Sequence, residues 1–467
     1  MRVSFNKIII SPKDFIGSPM AGYTRKNPCL GKLDDLYAYG VLIEGNREEK
    51  GKNVLLLISL DLLKIPIALS NYIKKKIKEK HSSLEADQIL IHCTHTHSAP
   101  DLTGEFYWPG GLLNVMKGIM FGRNRSDHYI VWFVKQIVRM VEDLIKNLMS
   151  CKMAWLKKKF NPDIVINRRH PSRQSIPELG IISFINVDNN SLIGFIVNYS
   201  CHPTTLSFQN NKLSADYPGK IIERISQLTH NKVGVIFFNG TAGDLNPITT
   251  CGTNYQKLEH DKSLIYDQLG TYIHTKKIGY AIAEKALNLT KSIAKKDYFN
   301  DLEFQFYLNY FWIPVKDFNY FSKTWFRNKL IYCFKKYLLL KVARITLKES
   351  NFPAFTIKRK KLKIHAKTVI QFVKFNLKNE LNSKTIGVIT VPGELFEDYG
   401  NLFLKKSPTK RENSFVFQNS NDWISYLFPA KDYIEEGGYE PLASFSPVCG
   451  YFIEKKMLGL FREIENS

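Results

Sequence analysis

Short apolar runs that stop abruptly at polar residues recur along the chain. Each run has the length of a buried strand and is rich in β-branched or aromatic residues. The clearest runs are Val54 to Leu60, Ile89 to Ile91, Gly180 to Val187, Leu192 to Ser200, Val233 to Phe238 and Thr385 to Val391. They predict buried strands whose ends carry polar side chains. The N-terminal stretch 1–15 holds a shorter apolar patch and predicts an edge strand.

Segments with apolar residues at helical spacing lie between these runs. Pro66 to Lys80 predicts a helix with proline in its first turn, and a second helix begins at Asp127. Ser214 to Gly219 opens a third. Strands that alternate with helices predict an α/β fold, with a mixed β-sheet core covered by helices. No repeat or linker interrupts the pattern, so we expect residues 1–467 to form a single domain.

The cysteines and the apolar runs limit where the protein is expected to reside. Its 7 cysteines are scattered singly and form no Cys-x-x-Cys pair, which predicts no disulfide framework. The N-terminus has no run long enough for a secretory signal, and no run reaches the ~20 apolar residues of a membrane-spanning helix. We therefore expect a cytoplasmic protein, either free or peripheral on a membrane.

The formal net charge of +23 favours anionic partners such as a phospholipid surface. An AT-rich coding bias would produce the same lysine-rich composition. We see no nucleic-acid-binding motif and expect no such partner. Residues 296–367 form a basic, aromatic-rich insertion. Within it, Phe318 to Leu347 predicts an amphipathic helix that either lies on an anionic membrane surface or packs on the core.

Candidate metal ligands follow three of the predicted strands. In an extended strand, side chains two residues apart share a face, so His95 and His97 point together while His92 points away. His202 and Glu394 follow two further strands. Ligand sites form where strand ends converge, and neutral imidazole is a preferred zinc ligand. Because no cysteine quartet accompanies these residues, the pattern predicts a catalytic rather than a structural metal site at the strand ends.

Other polar residues at strand ends have two interpretations each. Asp61 either supports a metal ligand or forms a structural salt bridge, because a buried carboxylate needs a partner. Arg168 and Arg169 either bind a polar group of a substrate or are solvated at the surface. Gly240 and Gly243 either bring backbone amides close to a ligand or form a plain turn.

Taken in order along the chain, these motifs resemble the catalytic domain of the neutral/alkaline, non-lysosomal ceramidase family. The matching stretches are Met20 to Tyr23, Ser59 to Asp61, Thr94 to Pro100, Ile166 to Arg168, His202 to Thr204, Gly243-Asp244, Val391 to Glu394, Tyr426, Tyr433 and Tyr439-Glu440. The resemblance implies a Zn2+ site formed by His95, His202, Glu394 and Tyr426. It also implies that His97 and Arg168 lie beside the metal and handle the polar head of the substrate.

Two departures from the family change the expected chemistry. The family's proposed nucleophile is a serine in a Gly-Asp-x-Ser-Pro turn, whereas this chain has Asn246 there, and an amide is not a nucleophile. In addition, we expect no counterpart of the family's C-terminal immunoglobulin-like domain. We therefore expect hydrolysis by metal-activated water, with His97, Arg168, Tyr426 and Asn246 as catalytic residues and with Gly240, Gly243 and Asp244 binding the substrate.

The expected activity is zinc-dependent hydrolysis of an N-acyl amide bond in a ceramide-like or other N-acyl lipid. One alternative is an N-deacylase that acts on an N-acylated amino sugar of a surface glycan or lipid-linked glycan. The other is a metal-binding, membrane-associated protein without catalysis. A long apolar tunnel would favour the lipid, and a shallow polar pocket would favour the sugar.

Overall fold

The computed structural model describes residues 1–23, 25, 27–46, 53–103, 106, 127–250, 270–314, 356–360, 363–429, 440, 444–445 and 448–466. Its largest element is an eight-stranded sheet. In spatial order the strands are β11 (Gly234–Asn239), β9 (Leu192–Tyr199), β8 (Glu178–Asn186), β6 (Met149–Lys159), β1 (Arg2–Ile9), β3 (Tyr37–Glu44), β4 (Val54–Leu60) and β5 (Ile89–Cys93). The pairs β4–β5 and β9–β11 are parallel, and the other pairs are antiparallel.

The two halves of this sheet face each other across one core. The junction between them is narrow, because β1 pairs with β6 at Arg2 and Val3. The Ser59 hydroxyl of β4 donates to the Phe237 carbonyl of β11 at 2.7 Å, which joins the two halves. Val41 of β3 and Phe195 of β9 belong to the same buried cluster. The carboxyl ends of β5, β9 and β11 are thereby brought to one side of the molecule.

Helices cover the outer faces of this double layer, as amphipathic patterning predicts. Next to the half containing β3 and β4 lie α1 (Ile67–Lys80) and α2 (Asp127–Lys146), whose apolar side chains cluster with Leu42 and Leu56. Next to the other half lie α3 (Asp216–Leu228) and α4 (Tyr272–Ser292). Alternate residues of β3 therefore face opposite layers, with Val41 inward and Leu42 toward the helices.

A second, five-stranded sheet completes the chain. It consists of β13 (Asp301–Pro314), β14 (Ile357–Lys360), β15 (Lys363–Lys378), β16 (Ser383–Thr390) and β18 (Ser414–Phe417). Two helices, α5 (Glu397–Lys406) and α6 (Cys449–Asn466), share a buried cluster with its strands. Pairs of short strands supply the loops near the candidate site: β2 (Gly31–Lys32) with β10 (Lys212–Leu213), β7 (Val165–Asn167) with β12 (Leu245–Pro247), and β17 (Glu394–Leu395) with β19 (Tyr426–Leu427).

The predicted α/β class, with mixed sheets and helices, is confirmed. The predicted edge position of the N-terminal strand is wrong: β1 lies between β3 and β6. The sequence pattern misled because most residues of β1 are half-buried or exposed, which is also typical of edge strands. The segment 296–367 contains β13, β14 and the start of β15. The amphipathic helix predicted from Phe318 to Leu347 lies outside the described residues. Among the described helices, none is both long and apolar enough to cross a membrane.

Candidate metal centre

Three buried histidines converge where β5 and β9 end. The Nε2 atom of His97 lies 3.4 Å from that of His95 and 3.2 Å from that of His202. All three side chains are almost fully enclosed. Their ring nitrogens lie within 4.8 Å of one another, which is the spacing of ligands around a single ion. The sequence predicted this convergence from strand ends that lie far apart along the chain.

His95 and His97 are brought together by a turn and not by the strand geometry that the sequence suggested. Strand β5 ends at Cys93, so the period of two does not extend to these residues. Instead, His95 adopts a left-handed backbone conformation with φ of 70°. Its amide donates to the Leu62 carbonyl at 3.0 Å, and the amide of Thr94 donates to Leu60 at 2.8 Å. A turn held against the end of β4 therefore aims both rings into the centre.

Backbone carbonyls orient two of the rings. His95 Nδ1 lies 2.7 Å from the Leu63 carbonyl, and His202 Nδ1 lies 2.9 Å from the Ala242 carbonyl. A carbonyl only accepts, so both Nδ1 atoms carry hydrogen and both Nε2 lone pairs point into the centre. Burial, together with the neighbouring His95, lowers the pKa of His202 to about 3. Burial also holds the pKa of His97 well below its usual value. These two rings are neutral at physiological pH, as metal binding requires.

Glu394 places a carboxylate against the histidines. Its Oε2 lies 3.3 Å from His95 Nε2 and 3.6 Å from His202 Nε2. Burial favours the protonated acid, but the attraction of His95, His202 and Arg168 lowers the pKa of Glu394 to about 2. Among the described residues, Oε2 makes no hydrogen bond. A carboxylate oxygen and imidazole nitrogens that face one another in a buried site need a proton or a metal ion between them, and these residue types at this spacing fit a divalent metal ion.

Tyr426 lies beside Glu394, as the family resemblance implied. The two residues are paired in register between the parallel strands β17 and β19. The Tyr426 side chain is buried, and the Arg168 guanidinium carbon lies 5.3 Å from its ring centroid. The structure thus brings Tyr426 next to a candidate ligand. No pattern in the residues around it would have singled it out.

Arg168 and Asn246 form one buried hydrogen-bonded unit. The guanidinium donates to Asn246 Oδ1 at 2.9 Å, to the Gly243 carbonyl at 2.6 Å and to Glu440 Oε1 at 3.2 Å. Arg169 donates to the other oxygen of Glu440 at 3.0 Å. The two arginines are therefore buried and paired rather than solvated, and Asn246 contacts Arg168 through its acceptor oxygen.

The turn that was predicted to bind substrate is largely used by the protein itself. The amide of Gly240 donates to Tyr199, and that of Gly243 donates to Leu395. Asp244 accepts from Asn167 Nδ2 at 2.8 Å and from the amide of Glu397 at 2.8 Å, at the start of α5. Burial raises the pKa of Asp244 to about 7. In the structure these three residues hold the loop that supports His202.

His92 and Asp61 lie outside the centre. The ring of His92 contacts the Ser59 hydroxyl at 2.9 Å and accepts from the amide of Asn239 at 3.0 Å. Asp61 accepts from the amide of Tyr37 at 3.0 Å and from the Thr94 hydroxyl at 3.3 Å. It thus contacts the residue that precedes His95 rather than a candidate ligand. Burial raises the pKa of Asp61 to about 7.

Two residues that support the centre were not predicted. Gln418 Oε1 accepts from the amides of Ala242 and Leu395, so it ties the loop behind His202 to the strand of Glu394. Trp423 donates its indole N–H to Glu394 Oε1 at 3.2 Å. Both lie in a stretch without regular periodicity, where the sequence gives no signal that distinguishes a supporting residue from a loop residue.

The fold and the histidine cluster define an α/β protein with a buried candidate metal centre at its strand ends. Comparisons of the chain with models of protein families and with curated sequences found no match. Among solved structures, it is similar to the neutral ceramidase of Pseudomonas aeruginosa, with a TM-score of 0.67 and 15% identity over 98% of this chain and 73% of that chain. It is also similar to a ceramidase complexed with C2, with a TM-score of 0.68 and 15% identity over 100% and 75% of the two chains. The chain therefore has the fold of the neutral ceramidases, which confirms the resemblance at the level of the fold.

Proposed function

We propose that the protein hydrolyses an N-acyl amide bond and that a zinc ion is held by His95, His202, Glu394 and Tyr426. The observation that carries this proposal is the convergence of imidazole Nε2 lone pairs on the Glu394 oxygen that has no hydrogen bond among the described residues. Imidazole nitrogens, a carboxylate and a phenol suit zinc, and expansion to a fifth ligand would admit a water or substrate oxygen. The fold shared with neutral ceramidases supports amide hydrolysis.

A zinc ion at this site would lower the pKa of water and polarise a carbonyl group. His97 is well placed to carry a proton, because its ring reaches His95 and His202 through Nε2 while Nδ1 makes no hydrogen bond among the described residues. Burial keeps His97 neutral, so its ring has a free lone pair that would take a proton from the attacking water and pass one to the leaving amine.

Arg168 would stabilise negative charge that develops on the carbonyl oxygen. Its guanidinium is fixed by Asn246, Gly243 and Glu440, so its charge needs no rearrangement during the reaction. Asn246 acts on Arg168 and offers no oxygen nucleophile. We therefore propose direct attack by water on the amide, without an acyl-enzyme intermediate.

The substrate class that we favour is a ceramide-like or other N-acyl lipid. The net charge of +23 supports approach to an anionic lipid surface, and the ceramidase fold supports an N-acyl lipid. The alternative is an N-acylated amino sugar. Asn246 at the position of the family's serine favours it, because a changed catalytic turn is compatible with a changed substrate.

The test combines zinc content with the release of free amine from a panel of short-chain ceramides, long-chain ceramides and N-acetylated sugars, followed by mass spectrometry. We expect one zinc per chain and release of the long-chain base. His95→Ala should lose both, while replacement of the exposed His230 by alanine should lose neither. Release of an amino sugar alone would favour the alternative. Zinc binding without turnover of the whole panel would contradict amide hydrolysis, and full activity of His95→Ala would contradict the assigned site.

A further inference from the structure

Trp423 lies directly behind the carboxylate of Glu394. Its indole N–H donates to Oε1 at 3.2 Å, and the side chain is largely buried. Backbone hydrogen bonds fix the two segments together: Glu394 N donates to Ser425 at 3.0 Å, and Ile424 N donates to Pro392 at 2.8 Å. The indole is therefore anchored on the same small sheet as the carboxylate that it contacts.

A buried lysine covers the other side of this indole. Lys64 Nζ lies 4.0 Å from the ring centroid of Trp423 and 5.2 Å from that of Phe106, and the lysine side chain is buried. Lys64 follows Leu63, whose carbonyl orients His95. One short segment thus contacts the centre twice, through the backbone at His95 and through the Lys64 ammonium at Trp423.

In this arrangement the two oxygens of Glu394 have different partners. The indole occupies Oε1, so Oε2 is the oxygen that faces His95 and His202. A cation above the ring face withdraws electron density from the indole and strengthens its N–H as a donor. Without the indole, the carboxylate would be free to rotate about its terminal bond, and its oxygen would no longer be held in the metal-binding orientation.

We propose that Trp423 and Lys64 are positioning residues that hold Glu394 ready for a divalent metal ion. This inference rests on the metal centre of the proposed function. Hydrogen-bonded partners of metal ligands commonly change metal affinity by about 10–100-fold when they are removed. Trp423→Phe keeps an aromatic ring for Lys64 and removes the N–H, so it should weaken zinc binding by about 10-fold or more. Lys64→Met should weaken it by about 3-fold, in line with one cation–π contact.

The measurement is the dissociation constant of zinc for the full-length protein, from competition with a chromophoric chelator. Trp155→Phe is the matched control, because Trp155 also donates its N–H to a side-chain oxygen, that of Asn413 at 3.1 Å, away from the centre. We expect this control to bind zinc as the wild type does. Thermal unfolding of each metal-free variant separates loss of affinity from loss of fold.

A double-mutant cycle shows whether Trp423 acts through Glu394. In a Glu394→Ala background, Trp423→Phe should cause no further loss of zinc affinity. An equal loss in both backgrounds, or wild-type affinity in Trp423→Phe and Lys64→Met, would overturn the positioning role. If Trp423→Phe fails to fold, the same cycle is measured with Lys64→Met in place of Trp423→Phe. No further loss of zinc affinity in the Glu394→Ala background would again support the positioning role, and an equal loss would overturn it. Failure of the wild type itself to bind zinc would instead contradict the proposed function.

Discussion

His92 and His202 show how one residue type serves packing in one place and chemistry in another. Both are fully buried, and the pKa of each imidazole lies well below its ordinary value because burial disfavours the charged ring. Both nitrogens of His92 have partners, the Ser59 hydroxyl and the amide of Asn239. His202 has a hydrogen-bond acceptor at Nδ1, and its Nε2 faces His97 and Glu394. The partner of the second nitrogen, rather than burial, separates a structural histidine from a candidate ligand.

Two buried carboxyl groups repeat this contrast: Glu394, which Trp423 contacts, and Asp422, the residue that precedes Trp423. Glu394 faces histidines and Arg168, which lower its pKa to about 2 despite burial. Asp422 accepts from the amide of Ile67 and from the Thr368 hydroxyl, and burial raises its pKa to about 7. Glu394 therefore stays charged and able to bind a cation at neutral pH, whereas Asp422 is close to its titration point and serves the fold.

The largest expected effect separates the two histidines. His202→Ala should weaken zinc binding by at least about 100-fold, since it removes a ligand, and should leave the metal-free protein folded. His92→Ala should instead bind zinc and lose about 3–5 kcal/mol of unfolding free energy, since it opens a cavity and leaves buried polar groups without partners. Chelator competition and urea unfolding measure the two quantities. Equal losses of zinc affinity in both variants would contradict the assignment of His202 as a ligand and His92 as a structural residue.

The next largest expected effect concerns Gly22, which packs against the ring of His97. Gly22 has a φ of 95°, and a Cβ built there would lie 2.5 Å from the His97 ring. Gly22→Ala should therefore displace His97 and lower kcat by about 10–100-fold, less than the ~10²–10⁴-fold of a complete loss of proton transfer because the ring is moved rather than removed. Zinc affinity should change much less, because His95, His202 and Glu394 stay in place.

Gly17→Ala is the matched control for that variant. Gly17 has a similar φ of 80°, but nothing lies within 4 Å of a Cβ at this position. Gly17→Ala should introduce the same backbone strain as Gly22→Ala. Its kcat should remain unchanged on whichever substrate of the ceramide and sugar panel the wild type hydrolyses. Equal kcat losses in both variants would mean that loop strain, rather than contact with His97, limits the reaction.

The smallest expected effect is the pH dependence of stability due to Asp422. Its folded pKa of about 7 lies above the value of 3.8 for an unperturbed carboxyl, so the folded state binds more protons between these values. Its contribution to stability is therefore present below about pH 4 and lost as the pH rises through about 7. Asp422→Asn should reduce the fall in unfolding free energy between about pH 5 and about pH 8 by on the order of 2 kcal/mol. The same slope in wild type and variant would show that Asp422 is not the group that titrates.

Much of the fold was predictable, because apolar runs and helical periodicity reflect burial directly. The run Val54 to Leu60 coincides with β4, and the helix predicted from Pro66 corresponds to α1. The position of β1 was not predictable, since it depends on how two halves of a sheet meet. The long strands β13 and β15 were also missed. The region 296–367 was characterised only by its basic and aromatic composition, whereas pairing with each other over their length fixes β13 and β15 as strands.

The histidines of the centre were predictable because strand ends converge, which is a general property of α/β sheets. The way His95 reaches the centre was not, since a left-handed turn leaves no mark in a Thr-His-Thr-His sequence. The supporting roles of Gln418 and Trp423 depend on contacts between distant segments. Such contacts are set by tertiary packing and have no local sequence pattern.

The most direct test of the central claim is X-ray absorption at the zinc edge of the wild-type protein loaded with one zinc per chain. We predict nitrogen and oxygen ligands at about 2.0–2.2 Å, with the scattering pattern of imidazole and no sulfur. His202→Ala should show weaker imidazole scattering, while His92→Ala should match the wild type. A spectrum of water oxygens alone, or one with sulfur at about 2.3 Å, would contradict a zinc centre built on these histidines.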